Sequence, residues 1–208
     1  MNSSERPPSG RRALQSRQTR HDIVRAATVL FLDRGYANTS IAAVARQANV
    51  ALQTIYNSVG NKAQLLSAVI DDVAAGDQAM PVVDFLGQRL GATTTAGEVA
   101  VVLADWFAEV NPRLAPVYAV LDAAAGLDPE IAALRTARSL QRFERYGLTP
   151  ALLRERDAAP RMLDDDALAA LAYSIGSPST HAFLVNDAGW TLPRYRQWVL
   201  DSLVKVFG

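Results

Sequence analysis

Cysteine is absent from the 208 residues of this chain. That excludes disulfides, thiol nucleophiles and cysteine-ligated zinc, and it fits a reducing, cytoplasmic setting. Histidine occurs only twice, at His21 and His181. No glycine-rich phosphate loop is present, and no acid–base pair is spaced to share one inward helix face. An enzyme is therefore not expected, nor a metal or cofactor. No uninterrupted apolar run reaches the roughly 18 residues a membrane helix needs, so no span is expected. The arginines near the amino terminus have no apolar stretch behind them, which argues against a secretory signal. Half of the residues are hydrophobic, enough for a sizeable core.

Net charge is also absent, but its distribution is uneven. Residues 1–62 hold nine Lys and Arg against three acids, and the remainder carries the compensating negative charge. A basic head on an acidic body suits a nucleic-acid reader joined to a separate domain.

The head contains the most informative stretch, Thr39 to Lys62. Thr39 and Ser40 are good helix N-caps, because their hydroxyl oxygens accept otherwise orphaned backbone N–H groups. Ile41, Val44, Ala45 and Ala48 follow at helical spacing and give a small apolar face that a second helix can approach. Asn49-Val50 marks a tight turn, since Asn tolerates left-handed backbone. Ile55 and Val59, with Val50, fill the space between two short helices. Leu52, Gln53, Tyr56 and Asn57 are left to face outward, a mixture that suits base edges and phosphates better than plain solvent. Gly60-Asn61 ends the second helix and Lys62 opens a third. This is a helix-turn-helix built to place one helix in the major groove.

The same residues carry a family resemblance. Thr19 to Ile23, Ala26-Ala27, Phe31, Gly35-Tyr36, Thr39 to Ile41, Val44-Ala45, Ala48, Val50, Thr54 to Tyr56, Lys62 and Leu65-Leu66 resemble the tetracycline-repressor (TetR) family of bacterial transcription regulators. The resemblance spans roughly the first third of the chain. Asn49 stands where the family has Gly, Ala51 where it has a Ser or Thr cap, and Ser58-Val59 where an aromatic pair is common. Position and resemblance together assign phosphate contacts to Ser40, Thr54, Tyr56 and Lys62. They assign base contacts to Leu52, Gln53 and Asn57, with Gln53 suited to adenine. Residues 1–16 read as a disordered basic arm, in which Arg11 and Arg12 are either merely solvated or reach toward DNA, and Arg17 just beyond it is read as a phosphate contact. A first helix is expected from Ser16 or Thr19 to Arg34, opened by a capping box at Thr19-x-x-Asp22 and closed by Gly35.

Beyond a connecting helix from Lys62 to Ala75, the composition turns to Ala, Leu and Val. Helices are expected near 81–90, 97–110, 112–126, 129–146, 164–188 and 192–207, with a loop over Ala158 to Arg161. Val99, Val102, Leu103, Trp106, Phe107 and Val110 form one apolar stripe, which leaves Asp105 and Glu109 on a solvated face. Asp128-Pro129 is an N-cap followed by proline at the first helical position. Arg135, Arg138, Arg142 and Arg145 line one flank of the helix it opens. They are read as a solvated basic face, with an anionic-ligand site as the alternative. Asp164 to Asp166 sits at a helix start, where negative charge is favourable, and no metal is expected there. His181 reads as a satisfied or surface histidine.

The chain is thus expected to be all-α. Residues 17–62 form a three-helix DNA-binding domain, and residues 63–208 a helical ligand-binding and dimerisation domain. Trp106, Phe107, Tyr118, Phe143, Tyr146, Tyr173 and Phe183 are the candidates to line a site for a small apolar or aromatic effector. The resemblance extends to Asp166–Phe207 and implies that the last two helices pack against their copies in a homodimer. Leu171, Phe183, Leu184, Trp190, Tyr195, Trp198, Val199 and Leu203 are the candidate interface. The function implied is a cytoplasmic, ligand-responsive repressor that reads a palindromic double-stranded operator. The alternative is an all-helical small-molecule binder without sequence-specific DNA binding.

Overall fold

The computed structural model describes residues 10–76, 82–156 and 163–207, and every regular element among them is helical. The chain divides into two compact units, with the division between Asp72 and Val73. That lies beyond the boundary expected after Lys62. The reason is that the apolar side of the fourth helix, Leu65, Leu66, Val69 and Ile70, is buried core.

The first unit holds α1 (Gly10–Arg34), α2 (Ile41–Gln47), α3 (Leu52–Ser58) and most of α4 (Lys62–Ala75). Ile23, Ala27, Leu30 and Phe31 of α1, Val44 and Ala45 of α2 and Ile55 of α3 are buried. Val44, Ala45 and Ile55 are among the positions that the spacing marked as the apolar side of the helix-turn-helix. The α1 helix begins at Gly10 rather than after residue 16, so the irregular arm is shorter than expected. Ala13, Leu14, Gln15 and the arginines are good helix formers, and their summed propensity extends α1 backward. The expected capping box at Thr19 does not form. Thr19 instead donates to the Gln15 carbonyl from inside the helix, and Asp22 accepts from Gln18. The rest of the arm, residues 1–9, lies outside the described residues.

The second unit is built on α6 (Ala96–Ala125), preceded by α5 (Val82–Gly91). Around α6 stand α7 (Pro129–Tyr146), α8 (Thr149–Arg154), α9 (Asp165–Ile175), α10 (Pro178–His181) with a π-turn over Ala182–Asp187, and α11 (Leu192–Phe207). α6 packs on α7, α10 and α11, while α9 packs on α7, α8 and α11. The break expected at Asn111-Pro112 is not there, and α6 runs through Pro112 and Pro116. Both proline rings lie at the surface. The neighbouring Leu114, Ala115, Val117 and Leu121 are buried, and this packing offsets the hydrogen bonds that proline removes. Asn111 adds a further tie. Its buried amide donates to the Gly176 carbonyl at 3.2 Å and to the Tyr195 hydroxyl at 2.9 Å.

Conversely, the single helix expected over 164–188 is interrupted at Gly176-Ser177. A Cβ at Gly176 would overlap the Phe107 ring. Ser177 then caps α10, accepting from Ser179 N. Asp128 caps α7 as expected, while Thr95 and Glu98 form a full capping box at the start of α6 that the spacing alone was not read to give. Asp164 caps α9, while Asp165 pairs with Arg154, so the acidic run has structural employment. The loop expected over Ala158 to Arg161 lies outside the described residues.

Candidate functional sites

The helix-turn-helix is assembled by short-range devices. Thr39 is buried and donates to the carbonyls of Leu30 and Gly35, anchoring the α1–α2 connection. Ser40 is the N-cap of α2 and accepts from Ala43 N at 3.1 Å. Its hydroxyl has therefore a structural task beside the phosphate contact expected of it. Asn49 adopts φ 53°, the left-handed conformation the turn requires. Asn reaches it at less cost than a residue with a bulkier or apolar side chain. Ala51 caps α3 without a side-chain hydrogen bond. At the other end of α3, Arg20 donates to the Ser58 carbonyl and fixes the helix against α1.

This arrangement buries Ile55 completely and presents Leu52, Gln53, Tyr56 and Asn57 to solvent. Leu52 and Tyr56 are 45% and 48% exposed, a large outlay of apolar surface for so short a helix. Gln53 donates to Asn57 at 3.0 Å, one turn on, so the two amides are oriented as a pair. Thr54 is half-buried at the rim. Lys62 stands at the start of α4, held by a cap that the sequence reading did not identify. Asn61 Oδ1 accepts from Gln64 N, and Gln64 Oε1 accepts from Asn61 N, both at 2.8 Å. The Asn-x-x-Gln spacing was the available signal. The Lys62 ammonium lies 4.1 Å from the Tyr36 ring centroid, a cation–π contact that restrains the side chain. Arg17 is exposed on α1.

In the second unit, four of the seven candidate ligand residues form one connected aromatic cluster. Phe107 meets Tyr146 at 5.9 Å, Tyr146 meets Tyr173 at 6.0 Å, and Tyr173 meets Phe143 at 5.9 Å. Tyr118 joins through Arg142, whose guanidinium carbon lies 5.5 Å from its ring and 4.2 Å from that of Tyr173. Burial pushes the Tyr146 phenol well above its ordinary value, with the nearby Arg142 charge opposing it. Trp106 does not belong here and packs on Phe85 instead. Adjacent helical residues diverge by about 100°, so Trp106 and Phe107 do not line one site. Phe183 is 59% exposed and is likewise outside the cluster.

Three other expectations are corrected. Arg142 is not part of a solvated flank, since Nε and Nη1 are buried without a hydrogen-bond partner among the described residues. His181 is neither satisfied nor superficial. It is 3% exposed, and neither ring nitrogen has a hydrogen-bond partner among the described residues. Burial lowers its pKa, and its ring stands edge-on to Tyr195 beside a cavity of about 210 Å³. Asp105 is not merely solvated, because it accepts from Arg196 at 2.6 Å across to α11.

The candidate interface residues separate into two groups. Tyr195, Val199 and Leu203 recur every four residues along α11 and are fully buried inside the protomer, so they are not available to a partner. Leu171 and Phe183 are exposed, and Leu184, Trp190 and Trp198 are half-buried. The Trp190 and Trp198 rings meet edge to face at 6.2 Å, with Arg194 stacked 4.2 Å from Trp190.

Fold and sites define a class: a helix-turn-helix protein with a helical carboxy-terminal unit. Residues 23–69 match the family described as "Bacterial regulatory proteins, tetR family". A stretch of 56 residues is 39% identical to the HTH-type transcriptional regulator HbdR of Aromatoleum sp. (strain CIB), covering 27% of this chain and 24% of that regulator. The full fold resembles NalD, the secondary repressor of the MexAB-OprM multidrug efflux pump in Pseudomonas aeruginosa. The TM-score is 0.69 at 17% identity, over 92% of this chain and 96% of that one. It also resembles SmeT of Stenotrophomonas maltophilia in its triclosan complex, with a TM-score of 0.69 at 18% identity over 90% of both chains. The helix-turn-helix segment thus carries a tetR-family match, and the chain as a whole shares the fold of those two repressors. Among the described residues no helix is long and apolar enough to cross a membrane.

Proposed function

We propose that this chain is a ligand-responsive repressor that binds a palindromic operator as a homodimer and is released by a small apolar or aromatic effector. The observation that carries the reading is the outward face of α3. Its exposed Leu52, Gln53, Tyr56 and Asn57 have no role in the core, and they stand on a helix held rigidly by Ile55, Arg20 and the Asn49 turn. Gln53 and Asn57 carry the amide groups that pair with adenine in the major groove. Ser40, Thr54, Tyr56, Lys62 and Arg17 surround them with groups able to hold phosphates.

One such helix reads only a few base pairs, so two copies about a two-fold axis are needed, with half-sites roughly 34 Å or a multiple of a turn apart. Exposed Phe183 and Leu171, with Trp190 and Trp198, are the side chains available to that second copy. The aromatic cluster of Phe107, Tyr118, Phe143, Tyr146 and Tyr173 receives the effector. NalD and SmeT are repressors of multidrug efflux pumps, and SmeT forms a complex with the small molecule triclosan. Release follows as a population shift, in which the effector favours a shape that no longer matches the operator spacing. α4 is the element for this, because its residues belong to both units.

The test is selection of bound sequences from a random duplex pool at near-physiological salt. Recovery of one palindrome supports the reading. Recovery of no preferred sequence favours the alternative, a helical small-molecule binder without specific DNA recognition.

A further inference from the structure

Arg142 is the most anomalous side chain of the second unit. A guanidinium stays charged at all accessible pH values. A buried charge is costly unless it is paired and hydrogen-bonded. Yet its Nε and Nη1 are removed from solvent with no acceptor among the described residues, and no carboxylate there forms an ion pair with it. The faces of Tyr173 and Tyr118 offset part of the charge through cation–π contact. They cannot supply in-plane acceptors for the N–H groups.

The neighbours on the same helix show that this is a particular placement. Arg135 reaches Asp122 and Arg138 reaches Gln141 at the surface. Arg142 alone of these three turns into the aromatic cluster. The unpaired N–H groups lie on the two edges by which a guanidinium takes a carboxylate. Around them, Phe107, Phe143 and Tyr146 supply apolar and aromatic surface.

We infer that the effector is an aromatic carboxylate, its carboxylate held by Arg142 and its ring by the cluster of Phe107, Phe143, Tyr146 and Tyr173. This rests on the proposed effector role of that cluster and narrows it to an anion. A neutral apolar molecule of the same shape leaves the buried charge unpaired, so the site discriminates against it.

The experiment is calorimetric titration of the full chain with benzoate, cinnamate and 2-naphthoate, each against its neutral carboxamide. At least one carboxylate is expected to bind on the order of tenfold or more tightly than its amide, as a charge-assisted bond requires. Arg142→Met is expected to remove that preference. Arg142→Lys is expected to restore part of it, because it returns the charge without the planar fork. Thermal unfolding of ligand-free Arg142→Met provides a second reading. Removing an uncompensated charge should leave the melting temperature unchanged or raised, whereas a purely structural arginine would lower it.

Equal binding of acid and amide, no binding of any acid, or a preference that survives in Arg142→Met would overturn the inference. The proposed function is tested apart from it by adding the same compounds to the operator complex. Carboxylate binding that leaves the complex intact would sink the effector role but keep the site. Release by an amide as effective as its acid would keep the effector role and sink the anion site.

Discussion

The two units use the same helical vocabulary and place their polar chemistry on opposite sides of it. In the first, the buried positions are almost all apolar, and Gln53, Asn57, Tyr56 and Lys62 stand outside a core closed by Ile55. Thr39 is the buried exception, and both its partners are backbone carbonyls a few residues away. In the second, Asn111, His181 and Arg142 carry buried polar atoms, and two of the three have polar atoms without hydrogen-bond partners among the described residues. A surface reader needs a rigid, fully satisfied support. A receptor for a small molecule needs groups whose pairing is completed by what arrives. The lesson is that unsatisfied polarity, not the amount of it, separates the helix-turn-helix unit from the second unit.

The contrast can be broken most forcefully at Ile55. Ile55→Ala leaves a cavity between short helices that have little else to hold them, and a loss of about 2–5 kcal/mol is expected. Native-state hydrogen exchange should show the loss confined to α1–α4 while α6 and α11 stay protected. A uniform loss would mean that the units are not energetically separate. In the second unit, Gly176→Ala drives a methyl into the Phe107 ring and is expected to cost about 1–3 kcal/mol, read as a lowered denaturation midpoint. The paired variant Gly176→Ala with Phe107→Leu should recover part of it.

Base reading gives the next effect. Gln53→Ala should cost about 1–3 kcal/mol at preferred duplexes and relax the preference at one position. Lys62→Ala should weaken all sequences alike and reduce the salt slope by about one. Identical behaviour of the two variants would abolish the division of roles.

The smallest expected effect belongs to His181. Its pKa is depressed in the folded chain by burial, so the unfolded chain binds the proton more readily. Stability is then fully present above the ordinary histidine range and declines as pH falls through about 6.5. Melting temperatures between pH 8 and pH 5.5 should show that decline, and His181→Phe should flatten it. A slope unchanged by the substitution would assign the decline to other groups.

The first unit was legible in the sequence because its logic is local. The Asn49 turn, the Ser40 cap, buried Ile55 and exposed Leu52 and Gln53 all follow from spacing within some twenty residues. The second was legible as far as most of its helices and the helix starts at Asp128 and Asp164; the Thr95–Glu98 capping box was not read. What escaped depends on partners distant in the chain. Pro112 reads as a stop, and only packing on α7, α10 and α11 carries α6 through it. Tyr195, Val199 and Leu203 resemble interface residues by type, and only the position of α6 turns them inward. Trp106 and Phe107 share an apolar stripe, yet α5 takes one and the tyrosine cluster the other. Arg142 is indistinguishable from its neighbours on a helical wheel until Tyr118 and Tyr173 are brought over it.

Salt dependence decides whether the outward face of α3 reads sequence or is only a charged surface. Affinity for the selected duplex and for a scrambled duplex of equal length would be measured across a range of salt concentrations. Both should weaken as salt rises, by about 0.9 log units per log unit of salt for each phosphate neutralised. A gap between the two lines is expected to persist at the highest salt, because base contacts release no counterions. Lines that converge and vanish together would contradict sequence reading by α3, leaving the first unit as a basic surface and the second unit as the seat of function.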